Sequence, residues 1–264
     1  MIGLGSYAFF WQQSSRVPEP LGLIDVFERT RELGVGLFQI CDYEPLLRMS
    51  QAELADAAAE ARRLDLRIEL GTKGVQPEHL ATFLRLAELF GAELVRGMVY
   101  APGFRPTLDE AAELLRAAMP NYAAAGVTLA LETYEQVSSA ALVELVDRVA
   151  SEHLGICLDP ANNVAGLELP WDVIERCAPI TRNIHVKDFA FARQPGWVGF
   201  TYSGAPLGEG LHDYPRMRAV VDPDARGINE VVEHWLPWQG DPESTVATEI
   251  AWTDTALHYL RSNS

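Results

Sequence analysis

Cysteine is scarce in this chain: three residues in 264, Cys41, Cys157 and Cys177, odd in number and without the spacing of a thiolate zinc site. That excludes a disulfide framework and predicts three reduced, mostly buried thiols. Long apolar runs are missing too. No stretch approaches the ~18 uncharged apolar residues that a membrane span requires, so no membrane partner is expected. The opening Met-Ile-Gly-Leu-Gly-Ser-Tyr has no basic segment ahead of an apolar run, which predicts no secretory signal and a cytoplasmic protein. Positive charge is in deficit, with 21 Lys and Arg against 37 Asp and Glu and a formal net charge of -16. Such a surface repels phosphate backbones and acidic membranes, so nucleic acid is an unsuitable partner. Low-complexity segments and linkers are absent, and the chain reads as one domain over residues 1–264.

What is present is alternation. Ile2 to Ala8 reads as a first strand and Leu23 to Leu33 as a helix stopped by Gly34. Gly36 to Ile40 is the second strand, and Ser50 with Glu53 forms a capping box for a helix reaching Leu64. Leu66 to Leu70, the helix Pro77 to Phe90, Leu94 to Tyr100 and the helix Asp109 to Ala125 continue the series, with Gly91 and Gly126 as helix stops. The repeat is about 30 residues, the size of a βα unit. The total length matches the roughly 250 residues of one TIM barrel. An α/β fold is therefore expected, with a parallel sheet closed into a (β/α)8 TIM barrel.

Four apolar runs each carry an acid or imidazole at the carboxyl end: Thr128 to Glu132, Leu154 to Asp159, Thr181 to His185 and Gly227 to Glu233. Buried parallel strands open into loops at that end, and barrel active sites gather there. In such a barrel Glu132, Asp159, His185 and Glu233 converge on one divalent cation. Taken singly, each is an ordinary helix cap, solvated loop acid or core histidine; the fourfold repetition carries the weight.

The runs Leu131-Glu132, Leu158-Asp159-Pro160-Ala161-Asn162, Ile184-His185-Val186-Lys187-Asp188 and Val232-Glu233-His234 resemble those of the xylose isomerase-like TIM-barrel superfamily of sugar isomerases and epimerases. The resemblance implies a metal-assisted reaction on a small sugar-like molecule. Three carboxylates and one imidazole favour Mn²⁺ or Mg²⁺, with Co²⁺ or Zn²⁺ as alternatives. Two substrate oxygens would fill the open positions, and the ion would stabilise an enediolate. By the same resemblance Glu132 and Glu233 flank the reacting carbon, one removing the proton and the other returning it. The family pattern also implies a homodimer or homotetramer paired through the outer helices.

Several other residues carry two readings. Lys187, two beyond His185, binds a substrate oxygen or an enolate, or forms an ordinary salt bridge to Asp188 or another loop acid. Trp11, in the aromatic run Phe9-Phe10-Trp11, walls a sugar site or packs in the core. Lys73, in Gly71-Thr-Lys-Gly74, holds a substrate anion or merely sits in a tight connection. Asn162 stands where many epimerases have histidine; it would hydrogen-bond a sugar hydroxyl without transferring protons. Glu230 competes with Glu233, but three residues apart in a strand they face opposite ways. Phe189 to His212 lacks helical periodicity and is longer than a connection needs, which predicts a lid over the site.

The leading functional reading is a metal-dependent sugar isomerase or epimerase. Its alternative is a lyase, a dehydratase or decarboxylase of an oxo-sugar or oxo-sugar acid, for which Lys187 and Arg96 or Arg105 are natural carboxylate partners. A repair endonuclease needs more histidines than the six present. A non-catalytic binding protein has no need of all four ligands.

Overall fold

The structure, a computed structural model, describes residues 1–263; Ser264, the last residue of the expected domain, lies outside them. Eight parallel strands close into a barrel: β1 (Ile2–Gly5), β2 (Leu37–Ile40), β3 (Arg67–Lys73), β4 (Leu94–Met98), β5 (Thr128–Glu132), β6 (Leu154–Leu158), β7 (Thr181–Val186) and, after the hairpin strands β8 (Asp188–Arg193) and β9 (Phe200–Ala205), β10 (Asn229–Val232). β10 pairs with β1 and β7 and completes the ring.

Around it run α1 (Leu23–Glu32), α2 (Gln51–Arg63), α3 (Pro77–Phe90), α4 (Leu108–Ala125) and α5 (Ser139–Val149). They are followed by the short α6 (Pro160–Asn163), α7 (Pro170–Cys177), α8 (Tyr214–Val221), α9 (Pro223–Arg226) and the long α10 (Pro242–Asn263). Local chemistry sets their ends. Ser50 with Glu53 and Thr107 with Glu110 close full capping boxes at α2 and α4. Gly91 and Gly126 take the left-handed conformation that ends α3 and α4. Among the described residues no helix is long and apolar enough to cross a membrane.

The apolar core lies mainly between sheet and helices, with Phe27, Phe38, Leu80, Leu115, Leu142 and Leu257 fully buried. The barrel's interior is different. Gln39, Glu69, Arg96, Asn183 and His185 are buried there on alternate strand positions, where an ordinary barrel carries aliphatic layers. Close approach shapes this interior: a Cβ on Gly71 would sit 2.1 Å from the Cys41 sulfur.

Two expectations change. The first strand ends at Gly5, and Ser6–Phe9 forms a 3-10 turn rather than its continuation. The segment Phe189 to His212 holds an antiparallel hairpin, β8 with β9, whose turn passes through Gly196 and Gly199, both at positive φ. At its base Asp188 accepts four backbone N–H groups, from Phe189, Gly208, Gly210 and His212, all at 2.8–2.9 Å. Tyr202 donates to the Ala161 carbonyl at 2.6 Å and packs edge-on against Trp235. The hairpin therefore leans on the loops after β6 and β10, the carboxyl ends of the barrel strands.

Candidate metal centre

Glu132 ends β5, Asp159 follows β6, His185 lies one residue before the end of β7, and Glu233 follows β10. Their ligand atoms lie within 4.8 Å of one another, and all four side chains are buried. His185 Nδ1 stands 3.4 Å from Glu132 Oε1, 3.4 Å from Glu233 Oε2 and 3.8 Å from Asp159 Oδ2. Glu230 points the other way, as its spacing requires, toward Tyr214 and Arg218 outside the barrel.

The donor set fits a cation. Asp159 Oδ1, His185 Nδ1 and Glu233 Oε1 are buried without a hydrogen-bond partner, and Glu132 Oε2 has only its ion pair with Arg96. Native proteins leave few such groups unpaired, and each costs about 1–3 kcal/mol or more. These atoms belong to four side chains whose ligand atoms lie within 4.8 Å of one another, an oxygen and nitrogen set that could hold a metal ion.

Cations of the chain flank the cluster. Lys187 Nζ lies 2.7 Å from Asp159 Oδ2 and 2.9 Å from Glu233 Oε2, and 4.7 Å from the centre of the Trp235 ring. It does not pair with Asp188, whose oxygens are taken by backbone N–H groups at the hairpin base. Burial alone would lower the Lys187 pKa; Asp159 and Glu233 outweigh it and keep the ammonium charged. On the opposite side Arg96 Nε is 2.8 Å from Glu132 Oε2. Burial pushes the Glu132 carboxyl up, but Arg96 and His185 pull it down to about 2. Glu233 is likewise held low against burial, by His185 and Lys187.

Beyond Arg96 the chain of charges continues through Asp42. Its Oδ2 accepts Tyr7 OH at 2.8 Å and lies 3.0 Å from Lys73 Nζ and 3.5 Å from Arg96 Nη2. Asp42 sits at φ 51°, a left-handed conformation that Asp tolerates better than most residues.

The other expected site residues fall into two groups. Asn162 joins the cluster directly, its Nδ2 reaching Glu132 Oε1 at 2.8 Å and Asp159 Oδ2 at 2.9 Å. Lys73 stands three ion pairs away from Glu132, through Asp42 and Arg96, and lines a neighbouring cavity of about 330 Å³ with Tyr100, Arg105 and Tyr134. Trp11 makes no hydrogen bond to the four ligands. Its Nε1 donates to the Leu236 carbonyl at 2.7 Å, and its ring packs on Phe10 and Trp238. With Tyr7, Phe10 and Trp235 it lines a smaller cavity of about 150 Å³ on the same face.

The family model of the xylose isomerase-like TIM barrel matches residues 27–256. Over 259 residues the chain is 49% identical to the 3-oxo-isoapionate decarboxylase of Pectobacterium atrosepticum, covering 98% of this chain and 94% of that protein. Among solved structures, D-psicose 3-epimerase from Clostridium cellulolyticum H10, in complex with D-tagatose, superposes with a TM-score of 0.75 at 13% identity, covering 99% and 98% of the two chains. A xylose isomerase-like TIM-barrel protein from Mycobacterium smegmatis, in complex with magnesium, gives 0.70 at 18% identity, covering 96% and 95%. At such identities these two structures speak for the fold alone.

Proposed function

The chain belongs to the xylose isomerase-like TIM-barrel family, and on that premise we propose that it is a metal-dependent lyase that decarboxylates a 3-oxo sugar acid. The lyase alternative of the sequence reading thus takes precedence over the isomerase or epimerase. Its main support is the 49% identity, over nearly the whole length of both chains, to a 3-oxo-isoapionate decarboxylase.

The structural observation that carries the reading is the state of Glu132. Epimerisation through proton exchange needs two groups on opposite faces of one carbon, each able to take and give a proton. Glu132 is clamped by Arg96 and Asn162, which stabilise its carboxylate and make it a poor proton carrier. Glu233, its carboxylate held low as well, pairs with the Lys187 ammonium, which carries a proton that can be given. One proton-handling side suffices for decarboxylation, in which the C–C bond to the carboxylate breaks, CO₂ leaves and a single proton is added to the carbon left behind.

Glu132, Asp159, His185 and Glu233 would hold the divalent cation, Mn²⁺ or Mg²⁺ by ligand hardness and Co²⁺ or Zn²⁺ otherwise. When bound, that ion supplies a Lewis acid to the substrate's oxygens. Lys187, buried and charged, donates a hydrogen bond to the oxygen on which negative charge develops as CO₂ departs. With Glu233 behind it, the same ammonium delivers the proton to carbon. Arg96, a buried guanidinium beside Glu132, supplies the positive charge that attracts the substrate carboxylate. Asn162 holds a substrate hydroxyl, and Trp11 with Trp235 forms an apolar wall toward the hairpin.

Incubating the Mn²⁺-loaded protein with 3-oxo sugar acids in D₂O tests this reading. Release of CO₂ with one deuterium at the former α-carbon of the product is expected. Deuterium washed into a ketose without CO₂ release would return the assignment to an epimerase.

A further inference from the structure

Beneath the four ligands the barrel holds a second polar layer that the proposed reaction does not use: Gln39 on β2, Glu69 on β3, Asn183 on β7 and Asn229 on β10. Gln39, Glu69 and Asn183 are buried, so each polar atom there must be matched or costs stability. The direction of every hydrogen bond follows from Glu69. All its recorded partners are amide nitrogens: Asn229 Nδ2 at 2.6 Å on Oε1, with Gln39 Nε2 at 2.9 Å and Asn183 Nδ2 at 3.0 Å on Oε2. A carboxylate that only accepts leaves Gln39 one orientation, nitrogen toward Glu69 and carbonyl away from it.

That carbonyl meets His185. Gln39 Oε1 lies 2.8 Å from His185 Nε2 and also accepts the Cys41 thiol at 2.9 Å. A carbonyl oxygen cannot donate, so Nε2 carries the proton and the lone pair is on Nδ1, the nitrogen that faces Glu132, Asp159 and Glu233.

We infer that Glu69 is a positioning residue which, through Gln39, fixes the tautomer and ring orientation of His185 for binding a divalent cation. A carboxyl acceptor relayed to the far ring nitrogen also raises the donor strength of the near one. The inference rests on the reading that Glu132, Asp159, His185 and Glu233 bind such an ion.

Glu69→Gln tests it. The variant keeps the shape of the side chain but adds an amide donor, so Gln39 is free to turn and present its nitrogen to His185. Mn²⁺ binding by calorimetry should weaken about tenfold to a hundredfold, the usual effect of removing an outer partner of a ligand histidine. Folding of the metal-free variant is checked by its thermal transition. In the Zn²⁺-loaded protein the His185 Nε2–H resonance should shift, which a purely structural role for Glu69 would not cause. Unchanged Mn²⁺ affinity with an unchanged ring resonance would overturn the inference. Should Glu69→Gln not fold, Gln39→Met removes the acceptor and leaves Glu69 in place; unchanged affinity there overturns it equally. Failure of the wild-type protein to bind Mn²⁺ is a different result, since it removes the metal reading itself.

Discussion

Arg96 and Glu132 form a buried ion pair across neighbouring strands, Nε to Oε2 at 2.8 Å, with both side chains almost wholly shielded from solvent. Deleting one partner of such a pair strands the other charge in a low-dielectric interior, at a typical cost of 3–5 kcal/mol. Arg96→Met should therefore destabilise the metal-free protein by about that amount in urea titrations. Arg96→Lys should restore little, because a point charge does not replace the guanidinium's geometry toward Glu132, Asp42 and the Thr72 carbonyl. A near-normal midpoint for Arg96→Met would mean that Glu132 is neutral in the folded chain.

Glu233 separates holding from reacting. Glu233→Gln keeps the shape and one oxygen ligand but removes the charge that faces Lys187. Metal affinity should fall modestly while turnover drops ~100-fold or more, as for a lost acid/base partner. Turnover and affinity falling together would reduce Glu233 to a ligand.

Lys187 and Asp188 are neighbours with separate tasks. Lys187→Met removes the ammonium between Asp159 and Glu233, and turnover should fall as far as in Glu233→Gln, since both act on the same developing charge. Asp188→Asn acts on the hairpin base, where a neutral amide is a weaker acceptor for four backbone N–H groups. Faster hydrogen exchange over residues 206–212, with Lys187 still in place, is the expected signature. Equal kinetic losses without that change in exchange would contradict the division.

The barrel and the clustering of four polar side chains at one end of it were legible in the sequence for a physical reason: buried parallel strands are continuous apolar runs, and their reactive groups must stand at one end. Glu132, Asp159, His185 and Glu233 meet as that pattern implies. The supporting polar layer was not legible. Gln39 within Leu-Phe-Gln-Ile and Glu69 within Ile-Glu-Leu look like the solvent side of a half-exposed strand, and only closure of the barrel turns that side into an interior. Arg96 was readable as a substrate-carboxylate partner but not as the partner of Glu132, because that pairing depends on strand register. The hairpin was missed for a similar reason. Its antiparallel pairing across two glycines leaves no helical or buried-strand signature, and its tip residues Trp197, Val198 and Phe200 are exposed. The salt bridge expected of Lys187 forms with the acids Asp159 and Glu233 and not with Asp188, because adjacent residues on an extended chain point to opposite faces.

Glu249 on α10 gives the fold a pH dependence that can be isolated. Its carboxylate accepts the backbone N–H groups of Trp11 at 2.8 Å and Gln12 at 3.0 Å, tying the aromatic loop after β1 to the last helix. Burial pushes this carboxyl up from 4.5 to about 7, against the hydrogen bonds from Trp11 and Gln12. A raised folded-state value means that the folded chain holds the proton more tightly than the unfolded one. The contribution is therefore fully present below pH 4.5, falls as the pH rises and is gone above about 7. A shift of this size corresponds to about 3 kcal/mol. In urea titrations, wild-type stability relative to Glu249→Gln should decline by roughly that much between acidic and mildly alkaline pH, because the variant cannot titrate there. A wild-type-to-variant difference that stays flat over this window would show that Glu249 is ionised throughout, held down by the loop it anchors.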